Sequence, residues 1–179
     1  MKIGIITFNS AHNYGAVLQA WALQEYLKNE GHQVEIINYR LPATDNLYKI
    51  FKPRNPFKHG KLNKAVHVLQ YIKKMKTEPD RARKYREFER FINHTLNTTE
   101  PITKFGDLNK ANFDYDIMIA GSDQIWNGGL TKGVNPAYLL AFGKDNIKRV
   151  SYAASIGRDE IPEVEHTLFQ RYLRNFDYI

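Results

Sequence analysis

Four polar side chains able to hold a ligand follow a short apolar run in the middle of the chain. Ser122, Asp123, Gln124 and Asn127 supply a hydroxyl, a carboxylate and two amides after residues 117–120, which read Ile-Met-Ile-Ala. Carboxylate and amide groups bind ligand hydroxyls by hydrogen bonds, and a carboxylate can also accept a proton. This segment is therefore the first candidate site, and Asp123 is its ionisable group.

The apolar run predicts where this site lies in the fold. An unbroken apolar run of this length is typical of a strand buried on both faces, as in a parallel sheet. Gly121 is expected to make the tight turn out of that strand. Since ligands of open α/β sheets bind just past the carboxyl ends of the strands, we expect the polar segment to lie at that edge.

Two further predicted strands end in loops of similar character. They span residues 3–8 and 148–154, and their loops contribute His12, Asn13, Tyr14, Gly15, Ser155 and Gly157. If the sheet is parallel, all three strands end at one edge, and the three loops line one crevice.

The first loop places Asn13 and Gly15 at the start of a predicted helix. It has neither the P-loop pattern nor the three glycines of a dinucleotide-binding loop. Two roles stay open for Asn13: it caps the helix, or it contacts a ligand at the helix N-terminus. His12 is likewise either a solvated loop residue or a site residue.

The remaining elements predict a parallel α/β fold. A helix over residues 16–30 and a strand over 34–39 follow the first strand, which indicates a right-handed βαβ unit. Later segments are interpreted as a connector (105–112), a flexible loop (128–136), a helix (162–174) and the start of a strand (176–179). A last strand without a following turn leads us to expect a fragment of a larger protein, with residues 1–179 forming one domain.

Composition limits the kind of protein. The 179 residues contain no cysteine, which excludes disulfides, cysteine nucleophiles and thiolate metal sites. There is no apolar run of the roughly 18 residues that a transmembrane helix needs. The apolar run at the N-terminus is too short for the core of a signal peptide and has no small-residue cleavage site behind it, so we expect no signal peptide. We interpret the chain as cytoplasmic.

The positive charge is concentrated in one segment. Residues 48–104 hold 15 Lys or Arg against 5 Asp or Glu, whereas the whole chain carries +7. Two amphipathic helices are predicted there, with apolar stripes at 62–75 and at Tyr85, Phe88, Ile92 and Leu96. Together they predict a basic helical insertion at about 45–104. It is a solvated face, or it binds an anionic substrate or an acidic membrane surface; nucleic acid ranks last because no nucleic-acid module accompanies the charge.

Three segments together resemble the polysaccharide pyruvyl transferase family. They are residues 13–23 (Asn-Tyr-Gly-Ala-Val-Leu-Gln-Ala-Trp-Ala-Leu), 114–127 (Asp-Tyr-Asp-Ile-Met-Ile-Ala-Gly-Ser-Asp-Gln-Ile-Trp-Asn) and 148–157 (Lys-Arg-Val-Ser-Tyr-Ala-Ala-Ser-Ile-Gly). The resemblance implies a two-domain fold of the glycosyltransferase-B type with two Rossmann-like halves. This chain corresponds to the N-terminal half, and the C-terminal donor-binding domain lies outside it.

The resemblance also implies an activity. Members transfer the enolpyruvyl unit of phosphoenolpyruvate to a sugar of a cell-surface polysaccharide, forming a pyruvate ketal and releasing phosphate. The expected partners are phosphoenolpyruvate and a glycan or lipid-linked sugar acceptor, with neither cofactor nor metal. The donor's anionic groups are then expected to bind to the other half, so this half alone is expected to be inactive.

Roles for the loop residues follow from this resemblance. Asp123 is expected to contact an acceptor hydroxyl, with Ser122 and Gln124 orienting it, or else to cap its own turn. Trp126 either stacks on a sugar or anchors the core. The full set of expected substrate-binding residues is His12, Asn13, Tyr14, Gly15, Gly121, Ser122, Gln124, Trp126, Asn127, Ser155 and Gly157. Two other functions stay open: a nucleotide-sugar glycosyltransferase half, or a non-catalytic domain that binds an anionic partner.

Overall fold

The described part of the chain contains four strands with five helices between and after them. The computed structural model describes residues 1–41 and 79–179, apart from the side chain of Arg81. The strands are β1 (Lys2–Ile6), β2 (Gln33–Ile36), β3 (Ile117–Asp123) and β4 (Lys148–Ala154). The helices are α1 (Tyr14–Asn29), α2 (Pro79–Thr95), α3 (Phe105–Lys110), α4 (Gly128–Thr131) and α5 (Glu163–Leu173).

The strands form one parallel sheet in the order β2-β1-β3-β4. Ile3 lies opposite Val34 on β2 and Ile117 on β3, and Ile119 lies opposite Val150 on β4. The predicted parallel α/β fold is confirmed. The chain leaves β1 in one direction to build β2 and returns on the other side as β3, so the topological switch point lies between β1 and β3.

Single parallel bridges extend this order at both edges. Thr98 pairs with Ile36 of β2, and Tyr178 pairs with Val150 of β4. If each of these bridges is counted as a strand, the order among the described residues is 3-2-1-4-5-6, the order that is typical of Rossmann folds. The strand predicted at 176–179 is present as this one bridge, held by a hydrogen bond of 2.9 Å from the Ser151 amide to the Tyr178 carbonyl.

Alternate residues of the central strands face two separate cores. Ile3 and Ile5 of β1 pack with α1 and α2 on one face, whereas Met118 and Ala120 of β3 pack on the other. The second core also takes in Tyr138, Leu139 and Leu140 and, from α5, Phe169. Helices and loops therefore cover both faces of the sheet, which explains why β1 and β3 are almost continuously apolar.

Helix α2 lies in the described part of the basic segment that was predicted as an insertion at about 45–104. Phe88, Ile92 and Leu96 are buried in the same core as Ile3 and Ile5, so the second amphipathic helix is confirmed. It is a layer of the fold and not an appendage, because its apolar stripe covers the sheet. The helix predicted at 62–75 lies outside the described residues. Within the described ranges, no helix has the length and apolar character needed to cross a membrane.

Local predictions differ at three places. Residues 105–110 form α3 where a connector was predicted, because Leu108 is fully buried and anchors a helical turn. Residues 128–131 form α4 where a loop was predicted, and the Asn127 side chain caps that helix. Helix α1 begins at Tyr14 and not at Ala16, directly after the cap at Asn13.

Candidate functional site

The carboxyl ends of β1, β3 and β4 meet at one edge of the sheet, and the solvent-facing side of the loops at residues 7–13, 122–127 and 155–158 is here called the strand-end rim. The Thr7 hydroxyl donates a hydrogen bond of 2.9 Å to the Ser122 carbonyl, which joins the first and second loops. The Ser155 amide donates to the Asp123 carbonyl at 3.0 Å and joins the second loop to the third. The three loops predicted to share an edge therefore do so, across the switch point.

The backbone of the rim turns at Ser122 and Asp123, and not at Gly121 as predicted. Their φ angles are 36° and 80°, in the left-handed region that non-glycine residues rarely adopt. Gly121 belongs to β3, where a Cβ would lie 2.6 Å from the Tyr152 carbonyl oxygen. The glycine thus permits close approach of β3 and β4, and the strain falls on the next two residues. Such strained residues cluster at functional sites.

Asp123 holds its own turn with one carboxylate oxygen. Its Oδ1 accepts a hydrogen bond of 2.7 Å from the Gln124 amide. In the described part of the chain, no group donates a hydrogen bond to Oδ2, and the residue is half-buried. The two roles weighed for Asp123 are therefore compatible: Oδ1 stabilises the turn, and Oδ2 can accept a ligand hydroxyl.

Asn127 ties the second and third loops together. Its Nδ2 donates to Gln124 Oε1 at 3.0 Å and lies 3.4 Å from the Gly157 carbonyl, while its Oδ1 accepts from the Gly129 amide at 2.9 Å. Asn127 is only 8% exposed, so it supports the rim from below. Gln124 and Ser155 lie above it and are exposed.

Trp126 lies in the core beneath the rim. It is 8% exposed, and its indole N–H donates to the Tyr138 carbonyl at 2.9 Å. The Phe176 ring meets it edge-on, with 6.0 Å between ring centroids. Sugar stacking needs an exposed ring face, so this burial contradicts the predicted stacking and leaves the core-anchor role.

Asn13 caps α1, one of the two roles predicted for it. Its Oδ1 accepts from the amides of Gly15 and Ala16 at 2.9 and 3.4 Å. Asn13, Tyr14 and Gly15 are all exposed at the first turn of the helix. The cap uses the side-chain oxygen and leaves the exposed amide nitrogen of Asn13 on the rim.

His12 is neither solvated nor directed at the rim. Its Nε2 lies 2.6 Å from Glu89 Oε1 on α2, and its side chain is 9% exposed. The imidazole ring stacks on Phe88 with 5.5 Å between centroids. His12 therefore attaches the first loop to α2, and its expected part in substrate binding has no direct contact to support it.

Two residues of the rim region were missed in the sequence. Thr7 is fully buried at the end of β1, and Gln19 on α1 donates to its hydroxyl at 2.9 Å. The sequence feature that could have pointed to Thr7 is a single hydroxyl within an apolar run, because a polar group buried there needs a hydrogen-bond partner. The partner could not be read from spacing, because Gln19 reaches Thr7 from another element.

The charged groups near the rim are largely paired. The Arg158 guanidinium binds the Glu165 carboxylate at the start of α5. In the ranges 1–41 and 79–179, no three His, Asp or Glu side chains group together as metal ligands would. Asp123 is thus the rim carboxylate without an ionic partner among the described residues.

The sheet order and the polar rim at its switch point define an open α/β protein, a class in which ligands generally bind at the carboxyl ends of the strands. Residues 13–179 match the family model described as Polysaccharide pyruvyl transferase, and the chain belongs to this family. The family resemblance of the three sequence motifs is thereby confirmed. No match was found among curated proteins, and none among solved structures.

Proposed function

We propose that this chain forms the acceptor side of an enzyme that transfers pyruvate from phosphoenolpyruvate to a sugar of a cell-surface polysaccharide. Membership of the polysaccharide pyruvyl transferase family supports the reaction class. The observation that carries the site is Asp123, whose Oδ1 fixes a strained turn at the switch point while Oδ2 has no hydrogen-bond donor among the described residues.

The reaction needs proton transfer at three points. Protonation of the methylene carbon of phosphoenolpyruvate leaves its middle carbon electrophilic. One sugar hydroxyl adds there and loses its proton, phosphate departs with the electrons of its C–O bond, and a second hydroxyl adds in its place and loses its proton. The products are a cyclic ketal and inorganic phosphate. A carboxylate beside the acceptor hydroxyls can accept their protons as the new bonds form.

Asp123 is proposed to accept the proton of an attacking hydroxyl through Oδ2. Ser122 has a hydroxyl that takes part in no hydrogen bond with the described residues, and Gln124 is exposed with its amide nitrogen available. These two groups are proposed to bind neighbouring sugar oxygens. Asn13, Tyr14 and Gly15 at the start of α1, with Ser155 and Gly157 in the loop after β4, are exposed, and we propose that they form the margins of the same acceptor site.

The donor is proposed to bind mainly to a second domain facing the rim. Phosphoenolpyruvate carries a phosphate and a carboxylate, which require positive charge. At the rim, the Arg158 guanidinium is already paired with Glu165. The proposed arrangement is that of a glycosyltransferase-B-like protein, in which this chain by itself has no turnover.

The test uses the whole protein with phosphoenolpyruvate and candidate glycans. Phosphate release together with a ketal carbon detected by NMR supports the proposal. Asp123→Asn is expected to lower kcat by roughly 100-fold, the typical contribution of a general base. Asp145→Asn, at an exposed loop position, is the matched control and leaves kcat unchanged. Nucleotide release from a nucleotide sugar identifies a glycosyltransferase instead, and turnover of neither donor favours the interaction domain.

A membrane contact is a separate proposal for α2. Arg83, Lys84, Arg86 and Arg90 are exposed on this helix, and Tyr14 and Leu18 of α1 are exposed beside it. Exposed cations next to aromatic and aliphatic groups suit the surface of an anionic membrane. We propose that a cytoplasmic enzyme with a lipid-linked acceptor docks through this face.

Vesicle sedimentation tests this contact. The double substitution Arg83→Glu with Lys84→Glu is expected to abolish binding to phosphatidylglycerol vesicles. Lys104→Glu with Lys144→Glu changes the net charge equally at exposed sites elsewhere and is expected to retain binding. Equal loss in both variants indicates a general charge effect and removes the proposed docking face.

A further inference from the structure

We propose that Thr7 and Gln19 are positioning residues that hold the Ser122–Asp123 turn in its reactive geometry. The effect on catalysis in this inference rests on the proposed function. Its structural basis is a chain of side-chain hydrogen bonds that runs from α1 through the end of β1 to the strained residues at the end of β3.

The chain of hydrogen bonds has two links. Gln19 Nε2 donates to the Thr7 hydroxyl oxygen at 2.9 Å and to the Ala16 carbonyl at 2.8 Å. The Thr7 hydroxyl then donates to the Ser122 carbonyl at 2.9 Å. Each contact has the length of a well-formed hydrogen bond.

The number of protons that each side chain can donate determines the direction of these hydrogen bonds. A threonine hydroxyl has one proton to donate, and a primary amide nitrogen has two. Gln19 therefore donates one amide proton to the Thr7 hydroxyl and the other to the Ala16 carbonyl, and Thr7 donates its single hydroxyl proton to the Ser122 carbonyl. Loss of Gln19 frees the Thr7 hydroxyl to rotate, so the inner link depends on the outer one.

The turn needs such support because its backbone is unfavourable. Ser122 and Asp123 have φ angles of 36° and 80°, and strained residues persist only where their surroundings over-determine them. Besides the hydrogen bond within the turn from the Gln124 amide to Asp123 Oδ1, two anchors hold it from other segments: the Thr7 hydroxyl binds the Ser122 carbonyl, and the Ser155 amide binds the Asp123 carbonyl. Of the two, Thr7 alone acts through its side chain.

The position of Thr7 suits a fixed anchor. It is fully buried, and it spans the switch point between β1 and β3 directly below the rim. Gln19 Oε1 is also buried and has no hydrogen-bond partner in the described part of the chain. Burying an amide oxygen without a partner opposes folding, and the two hydrogen bonds donated by the amide nitrogen offset part of this cost.

The experiment measures turnover of the whole protein with phosphoenolpyruvate and its glycan acceptor. Thr7→Val keeps the shape of the side chain and removes the hydroxyl, and we expect kcat to fall roughly 10- to 100-fold because misplacement of a catalytic group by about 1 Å has this effect. The KM for phosphoenolpyruvate stays unchanged. Thr7→Ser restores the donor and returns kcat to within about twofold of the original value. Gln19→Met is expected to reproduce a weaker form of the Thr7→Val defect.

A double substitution separates positioning from general stability. In an Asp123→Asn background, Thr7→Val is expected to lower kcat by less than about twofold further, because both changes act through one group. Additive losses overturn the inference, as does full activity of Thr7→Val. If Asp123→Asn is fully active while Thr7→Val is not, the proposed role of Asp123 fails.

A readout independent of turnover tests the structural claim directly. The Gln124 amide binds Asp123 Oδ1 and the Ser155 amide binds the Asp123 carbonyl, so both report on the turn. Thr7→Val is expected to speed hydrogen exchange at these amides by about 10-fold, with Thr7→Ser unchanged. Unchanged exchange in Thr7→Val and Gln19→Met overturns the positioning role, even if no pyruvyl transfer is ever observed.

Discussion

The two ends of the sheet are built in opposite ways. At the amino end, the Lys2 amide donates to Asp116 at 2.7 Å, and the Lys2 ammonium lies 3.0 Å from Asp114. The Tyr115 hydroxyl donates to Glu35 at 2.6 Å. At the carboxyl end, Ser122 and Asp123 have positive φ angles, and Asp123 has no ionic partner among the described residues.

This difference indicates that the two ends of the same strands have different roles, stability at the amino end and ligand binding at the carboxyl end. The polar groups named at the amino end bind one another and so stabilise the sheet. Groups at the rim keep unused hydrogen-bonding capacity on a strained backbone, the combination found where a fold accepts some strain for function. The contrast supports placing the site at the rim, and substitutions at each end can break or sharpen it.

The largest effect is expected for Gly121→Ala. Its Cβ would lie 2.6 Å from the Tyr152 carbonyl oxygen, a backbone atom that moves only if β3 and β4 separate. We expect a loss of about 3 kcal/mol in the free energy of unfolding, measured by urea denaturation. Gly106→Ala in α3 is the control, since its Cβ meets no atom within 4 Å and the change is expected to be neutral or stabilising.

Gly4→Ala tests the corresponding close approach toward the amino end. Its Cβ would lie 2.6 Å from the Tyr115 ring, which is a side chain and can rotate away. The expected loss is about 1.5 kcal/mol in the same denaturation experiment. A loss larger than that of Gly121→Ala would show that the amino end is the more rigid one and would reverse the comparison.

Tyr115→Phe is expected to show a pH-dependent loss of stability. Burial and the hydrogen bond to Glu35 raise the pKa of the Tyr115 hydroxyl above its ordinary value of about 10. The folded state therefore keeps a proton that the unfolded state releases above about pH 10, and this contribution to stability falls as pH rises further.

The variant is expected to be about 1 kcal/mol less stable than the original protein at pH 7, because it lacks the hydrogen bond to Glu35. Urea denaturation between pH 7 and 11 should show that this gap, the difference in the free energy of unfolding between the two proteins, narrows above pH 10. Tyr26→Phe, at an exposed position, is the control and leaves no gap at either pH. A gap that widens with pH contradicts the assigned direction of the pKa shift.

The smallest expected effect is a gain from Ser122→Gly. Glycine tolerates a φ of 36° better than serine, and part of this benefit is offset by greater freedom of the unfolded chain. We expect about 0.5 kcal/mol more stability together with a lower kcat, because the turn loses both its hydroxyl and its rigidity. Ser151→Gly in β4 serves as the control and should lose stability.

Much of the fold followed from local patterns, but the details of the site did not. The run Ile117–Ala120 predicted a buried parallel strand, and Asn13 was among the residues that cap helices well. Gly121 was misassigned because the contact with Tyr152 is tertiary and overrides local turn preference. The burial of Trp126 depends likewise on Tyr138, a partner in another segment.

The link between Thr7 and Gln19 shows a further limit of sequence reading. Threonine and glutamine are both common at polar surfaces. Thr7 and Gln19 are twelve positions apart in different elements, so the period of a single helix or strand does not place them together. Their hydrogen bond exists only because α1 packs on the face of the sheet beside β1. Hydrophobic periodicity predicts which face of a helix or strand is buried, but not which polar side chain of another element contacts that face.

The three contacts of Asn127 have a consequence for the entropy of ligand association. Its side chain joins Gln124, Gly157 and the first turn of α4 before any ligand arrives. Ordering one residue of a mobile loop costs about 1–2 kcal/mol at room temperature. Two loops already joined through one amide do not lose this freedom again when a ligand binds. More of the free energy of each contact with a ligand at the rim is then available as affinity.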